Sequence, residues 1–505
     1  MRYVCILLLI FAKVYPQAGS FDITFDLDGK NSSYCFPVGI SNSSIDAGLQ
    51  STGKIINFRT NFAANSIFLL RYTSNGSIDT SFGVNGEVTF STNLPFHYQV
   101  YYPTQMVIQP DDKILIMGLQ QGDLYPNAYW VVRLLADGAL DPSFDNDGYL
   151  DLTFGTLQDR GTCIALQPDG KILVGGTSGD TAQYFTMARL LTDGSLDTSF
   201  GIGGKVQTTF NNNQSWGNSI AVQNDGKIIL GGYTENQPHA FDFGLIRYTS
   251  NGSIDTSFGT NGKVITTIDD NKSDIITKLI VQPDGKILAG GITSREINSK
   301  MAMVRYLANG ALDTTFGTGG IVILTDGWSG NCSVALQVDG KYVVAGGFDG
   351  DLFEVFRYSN DGTIDTAFGT NGFVNGFPTS VGYASTVLLQ PDNKLVVCGS
   401  IASPDFSQVC VAVIRLNPGV LANEAFGTTA IKVYPNPTTT MLHFDNSNSQ
   451  YKSVEIYNCL GQQVAIKKLN YLNDEIIEMS TFFKGVYLLR FFGENTTAVV
   501  KVVKE

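Results

Sequence analysis

The sequence predicts an all-β fold, a seven-bladed β-propeller followed by a small immunoglobulin-like β-sandwich. Three observations carry that reading. The phrase RYTSNGSIDTSFGTNGKV at Arg247–Val264 recurs at intervals of roughly 50 to 60 residues, the mark of a repeat architecture. Around each copy lie short runs of β-branched and aromatic residues bounded by Gly, Asn or Asp, the pattern of strands joined by tight turns. After Ala430 the phrase stops, and a new series of short alternating segments begins.

The chain opens MRYVCILLLIFAKVYPQAGS. Arg2 precedes an apolar run from Val4 to Ala12 that is too short to cross a bilayer, and small residues follow at Ala18, Gly19 and Ser20. These features predict a secretory signal peptide over residues 1–19. No later stretch is long and apolar enough to span, so the mature chain is expected to carry no transmembrane segment. A formal charge of −13 argues against nucleic acid and against electrostatic hold on an anionic membrane. Cys35, Cys163, Cys332, Cys398, Cys410 and Cys459 form no CxxC pair, which leaves zinc without support. Cys398 and Cys410 flank one predicted hairpin loop and could be bridged; buried free thiols are the simpler reading for the others.

The repeat spans residues 20–427. Its arginine recurs as Arg71, Arg133, Arg189, Arg247, Arg305, Arg357 and Arg415. Downstream of it stand Asp79, Asp141, Asp197, Asp255, Asp313 and Asp365, with Asn423 in the last copy. A phenylalanine follows in every copy, from Phe82 to Phe426. In one unit the expected strands are Gly204–Phe210, Asn218–Gln223, Lys227–Gly232 and Phe243–Tyr248. The second and third are joined by a QPDGK-type turn, where Gly takes a positive φ. Four antiparallel strands per unit, repeated radially, describe a propeller blade. Seven such turns match the seven arginines, and Phe21–Lys30 is expected to supply the leading piece of the first unit. The strands that close the ring are left open.

Up-and-down strand order puts the loops Ser91–Gln105, Leu119–Asn127, Glu235–Phe241, Asp269–Asp274 and Thr293–Lys300 on one face. The constant phrases lie on the other. One face is held fixed and the other diversified, so function is expected on the diversified one. A site is a single place, whereas an identity present in every blade serves something every blade needs. The repeated Arg and Asp are therefore read as structural, pairing with one another or with loop carbonyls.

The LDxSFGxxGKV phrase with its QPDGK partner resembles the delta-60 repeat family of exported bacterial proteins, which implies a propeller and no settled activity. Beyond a linker at residues 428–433, residues 434–505 resemble the type A sorting domain of the type IX secretion system. The matching residues are Tyr434-Pro435-Asn436-Pro437, the strand leading to Gly461, the Gly485-Val486-Tyr487 block, and Lys501 and Lys504. That likeness implies the type IX machinery as partner and a secreted or cell-surface protein of a Gram-negative bacterium.

Candidate chemistry is sparse. Asp26 with Asp28, and Asp145 with Asp147, look like acidic calcium loops, but they fill the slot of FGTNG and lack the later acidic ligand of a calcium hand. No other cofactor is expected. Ring histidines are confined to His97 and His239, and no GxSxG, HExxH or phosphate loop is present. Aromatic crowding around the second blade nominates His97, Tyr98, Tyr101, Tyr102, Tyr125 and Trp130 as a ligand face, with Trp216 and Trp328 as additions from other blades. The expected function is a monomeric, non-enzymatic scaffold binding a glycan or protein, with a secreted polysaccharide hydrolase or lyase as the rival.

Overall fold

A computed structural model describes residues 17–37, 44–61, 66–91, 100–121, 127–210, 214–237, 240–269, 272–293, 300–324, 332–346, 353–403, 405–419, 431, 433–444, 446, 451–458, 463–470, 475–493 and 497–505. These fall into two compact units divided between Gly419 and Val420.

The first unit is a ring of seven antiparallel sheets. Blade three shows the pattern: Arg160–Leu166, Ile172–Ser178, Tyr184–Leu190 and Lys205–Thr208, in that order across the sheet. The sequence-based grouping is corrected here by one strand. The segment GKVQ, read as the lead of a unit, is instead the outer strand of the preceding blade, because it hydrogen-bonds to the strand carrying Arg189. The RYTSNGSIDTSFGTNGKV phrase therefore joins the third and fourth strands within a blade and does not pass the chain to the next. The assignment of the two faces survives, since the phrase and the QPDGK turn still lie at the same end of the strands.

The same shift explains closure. Phe21–Lys30 does not lead the first blade; it completes the seventh. Lys30–Asn31 and Cys35–Pro37 pair with Gln408–Leu416, outside Leu395–Ala402 and Gly382–Leu389. The first and last parts of the ring thus share one sheet. Cys35 and Cys410 face each other in this pairing and form a disulfide, which corrects the expected Cys398–Cys410 bridge. Cys398 is a buried free thiol, as are Cys163 and Cys332.

The core lies between blades. Ile56, Phe58 and Leu69 of blade one, for example, pack against Met106, Ile116 and Val132 of blade two. Phe82, Phe144, Phe200, Phe258 and Phe316 are fully buried, and each tucks beneath a glycine of the next blade. Gly252 shows why that glycine is needed: φ is +89°, and an added Cβ would stand 3.0 Å from the Phe200 ring and 2.8 Å from Gly201 N.

The second unit has two sheets. Met441–Phe444 pairs with Glu475–Glu478, while Gln463–Lys468, Ser453–Asn458, Gly485–Phe492 and Thr497–Lys504 form a four-stranded sheet. Leu442, Phe444 and Ile477 from one meet Val454, Ile456, Leu489 and Phe491 from the other, giving the small sandwich.

Candidate functional site

On the constant face each arginine organises one junction. Arg247 Nε donates to Asp255 Oδ2 at 2.8 Å, and Nη2 donates to Ser257 Oγ at 3.2 Å. Nη1 reaches the carbonyl of Ala308 in the next blade, and the guanidinium lies 4.6 Å from the Phe258 ring centroid. The turn lysine completes the set, with Lys227 Nζ 3.1 Å from Asp255. Arg71, Arg133, Arg189, Arg305 and Arg357 pair in the same way with Asp79, Asp141, Asp197, Asp313 and Asp365. In blade seven Asp22 replaces the expected Asn423, binding Arg415 Nε at 2.7 Å and Lys394 Nζ at 2.8 Å. Phe25 lies beside that guanidinium, where Phe426 was expected. Asn423 and Phe426 lie outside the described residues. Arg415 Nη1 then reaches Ser74 O of blade one, so the junction is made all the way round. Burial raises the Asp22 carboxyl, but hydrogen bonds from Lys394 and Thr24 and the charge of Arg415 outweigh it and hold the group at about 2. The Arg–Asp–Lys pairing recurs at all seven junctions, while Ala367 stands where the other blades carry the hydroxyl that the arginine reaches.

The calcium loops resolve into turns. Asp28 Oδ1 accepts Lys30 N at 2.9 Å and Asp147 Oδ1 accepts Tyr149 N at 2.9 Å, while Asp26 and Asp145 take positive φ in the place of the usual glycine. Among the described residues no group of three or more His, Cys, Asp or Glu is gathered for a metal.

First strands from all seven blades line a central cavity of about 460 Å3. Most of these strands carry a β-bulge at one recurrent place, such as Gly161/Cys163 and Ile276/Lys278. The extra residue turns its side chain to the neighbouring blade: Thr277 Oγ1 donates to Cys332 O at 2.8 Å and Asn218 Nδ2 to Ile276 O at 3.0 Å. The following position is Asp46, Gln105, Cys163, Ser219, Lys278, Ser333 or Thr386, according to blade. Its side chain often accepts an amide of the next blade. Asp46 accepts Met106 N at 3.0 Å, Gln105 accepts Ile164 N at 2.8 Å, Ser219 accepts Leu279 N at 2.9 Å and Ser333 accepts Val387 N at 3.1 Å. Asp46 and Lys278 are the charged residues of the lining. Burial pushes the Asp46 carboxyl up, against the pull of the Lys278 charge and its own hydrogen bonds.

On the diversified face the sequence nominees disperse. His97, Tyr98, Tyr125, His239 and Trp328 lie outside the described residues. Tyr101 and Tyr102 belong to the first strand of blade two, Val100–Ile108. Trp130 is 4% exposed and packs between blades one and two, so it is a core residue and not part of a ligand face. Trp216 behaves differently. It stacks on Tyr233 with ring centroids 4.9 Å apart, and Phe241 stands edge-on to both at 5.2 and 5.4 Å. Trp216, Tyr233 and Phe241 are cross-strand neighbours at the diversified end of blade four, and all three are half-buried. Tyr233 and Phe241 were missed because each stands alone in its segment; only strand register unites them. Beside them Asp242 accepts a hydrogen bond from Thr267 Oγ1 at 2.7 Å and another from Asn236. Asp274, on the first strand of blade five, accepts Ile268 N at 2.7 Å. Burial pushes its carboxyl up to about 6, with the neighbouring Asp242 charge adding to the effect.

In the second unit Tyr434 exchanges backbone hydrogen bonds with His443, and Asn436 Oδ1 accepts Val503 N at 2.9 Å. Gly485 opens the central strand, Lys501 and Lys504 lie on the last one, and Tyr487 donates from its hydroxyl to Phe483 O at 2.9 Å. The Tyr-Pro-Asn-Pro block, Pro435 and Pro437 included, is thus fastened to the chain's last strand. Gly461 and Cys459 lie outside the described residues.

The model of a secretion system C-terminal sorting domain matches residues 432–505. That of the domain of unknown function (DUF5122) beta-propeller matches residues 50–82, 109–144, 167–200, 223–258, 282–316, 337–368 and 390–419. No curated protein matches the sequence. Among solved structures the chain is similar to polysaccharide lyase Uly1, at 14% identity and a TM-score of 0.43, over 79% of this chain and 98% of that one. It is also similar to puromycin hydrolase, at 12% identity and a TM-score of 0.44, over 85% of this chain and 62% of that one. A third is the beta-propeller domain of the Trilobed protease from Pyrococcus furiosus, at 11% identity and a TM-score of 0.37, over 73% and 92%. No helix among the described residues is long and apolar enough to cross a membrane. The sorting domain marks the chain for type IX export to the cell surface or the medium of a Gram-negative bacterium. The chain carries seven DUF5122 beta-propeller repeats in its ring and a secretion system C-terminal sorting domain after it.

Proposed function

We propose that the exported ring is a non-enzymatic scaffold that binds glycan through its diversified face. The supporting observation is the Trp216–Tyr233–Phe241 cluster on blade four. A half-exposed indole offers an apolar face for a sugar ring, and the adjacent Asn236 offers a polar edge for its hydroxyls. The rival reading, a polysaccharide hydrolase or lyase, draws on Asp274, whose raised pKa suits a general acid. Asp242 and Asp274 are both buried and bound to connector groups, however, which suits fixing loops better than reaching substrate.

The test is a glycan and polysaccharide screen of the whole exported protein, with product analysis on each hit. Binding without turnover, weakened about tenfold or more by Trp216→Ala, is expected. Turnover abolished by Asp274→Asn would replace this reading with the enzymatic one.

A further inference from the structure

We propose that the central channel is a second site, separate from the aromatic cluster, which holds a small anion on Lys278. At its position in the first strand four of the other six blades carry an acceptor. Asp46, Gln105, Ser219 and Ser333 each accept an amide of the next blade, and that duty accounts for their polarity. An ammonium group has no lone pair and cannot accept. Lys278 therefore forgoes the inter-blade bond that a serine makes in the blades on either side. Among the described residues its Nζ has no hydrogen bond or ion pair. The opposite charge does not neutralise it by contact, because the Asp46 carboxylate is already engaged by Met106 N, Ala47 N at 2.8 Å and Thr386 Oγ1 at 3.0 Å.

The remaining lining favours an anion. Gln105 spends its carbonyl oxygen on Ile164 N and keeps its NH2 for the cavity. Ser333 spends a lone pair on Val387 N and keeps its proton. Thr277, Thr162 and Thr104 spend their hydroxyl protons on backbone carbonyls. Two donors, the Gln105 NH2 and the Ser333 hydroxyl, thus face the same cavity as the Lys278 ammonium. Lys278 lines the same cavity as Asp46 of blade one and Thr162 of blade three. A cavity of about 460 Å3 admits a single sugar ring or a free oxyanion. A protein of net charge −13 repels anions at long range, so retention of one here requires a local site.

The experiment titrates the full exported chain by calorimetry with sodium glucuronate, inorganic sulfate and inorganic phosphate at constant ionic strength, with glucose as the neutral control. At least one anion is expected to bind while glucose does not. Lys278→Ser, which installs the hydroxyl found in the adjacent blades, should keep the fold and weaken binding by about tenfold to a hundredfold. Lys278→Arg should retain it. The anion that binds identifies the head group. Failure of all three anions to bind, or equal binding by Lys278→Ser, overturns the proposal. Should Lys278→Ser not fold, Lys278→Gln answers the same question.

Discussion

Arg247 carries four tasks with one side chain: it neutralises Asp255, holds Ser257, covers Phe258 and reaches the next blade at Ala308. Arg247→Ala leaves the buried Asp255 carboxylate with the turn lysine as its counter-charge, beside the Ser257 amide and hydroxyl, and a cost of about 3–5 kcal/mol is expected. Arg247→Lys keeps the charge but loses the planar fork, so its cost should be smaller, though real. Thermal melts of both variants check this, and ligand binding by the folded fraction should be unchanged. Asp274 gives the opposite kind of prediction. Its folded-state pKa of about 6 lies above the ordinary carboxylate value of 3.8, so the folded chain binds the extra proton. Stability linked to this group is therefore gained as pH falls through about 6 toward 4 and lost as pH rises again. The ring aspartates are held below 3.8 and act in a lower window: their contribution is present at neutral pH and is lost as pH falls below 3.8. Asp274→Asn should flatten the dependence between pH 4 and 6 and stabilise the ring at pH 7 by about 2–3 kcal/mol at most. Denaturation midpoints measured across that range decide it.

At the level of elements, the strands and turns were legible because each repeat restates them. Which strands share a blade was not. Period and composition are unchanged when the unit is cut one strand earlier, and only the pairing of Lys205–Thr208 with Tyr184–Leu190 fixes the cut. The same ambiguity hid the closure. Asp22 and Phe25 belong to the pattern, yet they stand at the opposite end of the chain from Arg415, and local reading assigned that role to Asn423 and Phe426. Cys35 was equally unreadable, as its partner lies 375 residues away. Closure by the N-terminal strands makes the seventh blade the one place where separation of chain ends opens the ring. Cys35→Ser should therefore cost about 2–5 kcal/mol, more than a typical surface change, and should make Gln408–Leu416 the first segment to lose amide protection. Hydrogen exchange showing blade four opening first would contradict this.

On the scale of the whole molecule, the division into a constant and a diversified face was legible from the repeats alone. The content of the diversified face was not, because burial sorts aromatics that composition cannot: Trp130 goes to the core and Trp216 to the edge. The channel was hidden for a related reason, since Asp46 and Lys278 are far apart in sequence and come to line one cavity only when seven first strands converge. Ring closure also bears on export. Residues 17–19 were read as the end of the signal peptide, yet they are built into the junction between blades six and seven. Gly19 N donates to Asn417 O at 2.8 Å, Gly369 N donates to Ala18 O at 2.8 Å, and Gly19 covers the Phe368 ring as Gly252 covers Phe200. Removal through Gly19 would uncover Phe368 and leave the sixth junction without its partner. The mature protein is therefore expected to begin at or before Ala18, with the exposed Gln17 placed to carry the new amino terminus. N-terminal sequencing of the exported protein tests this directly. A start at Ser20 in a protein that melts no lower than one beginning at Gln17 would show that these contacts are dispensable.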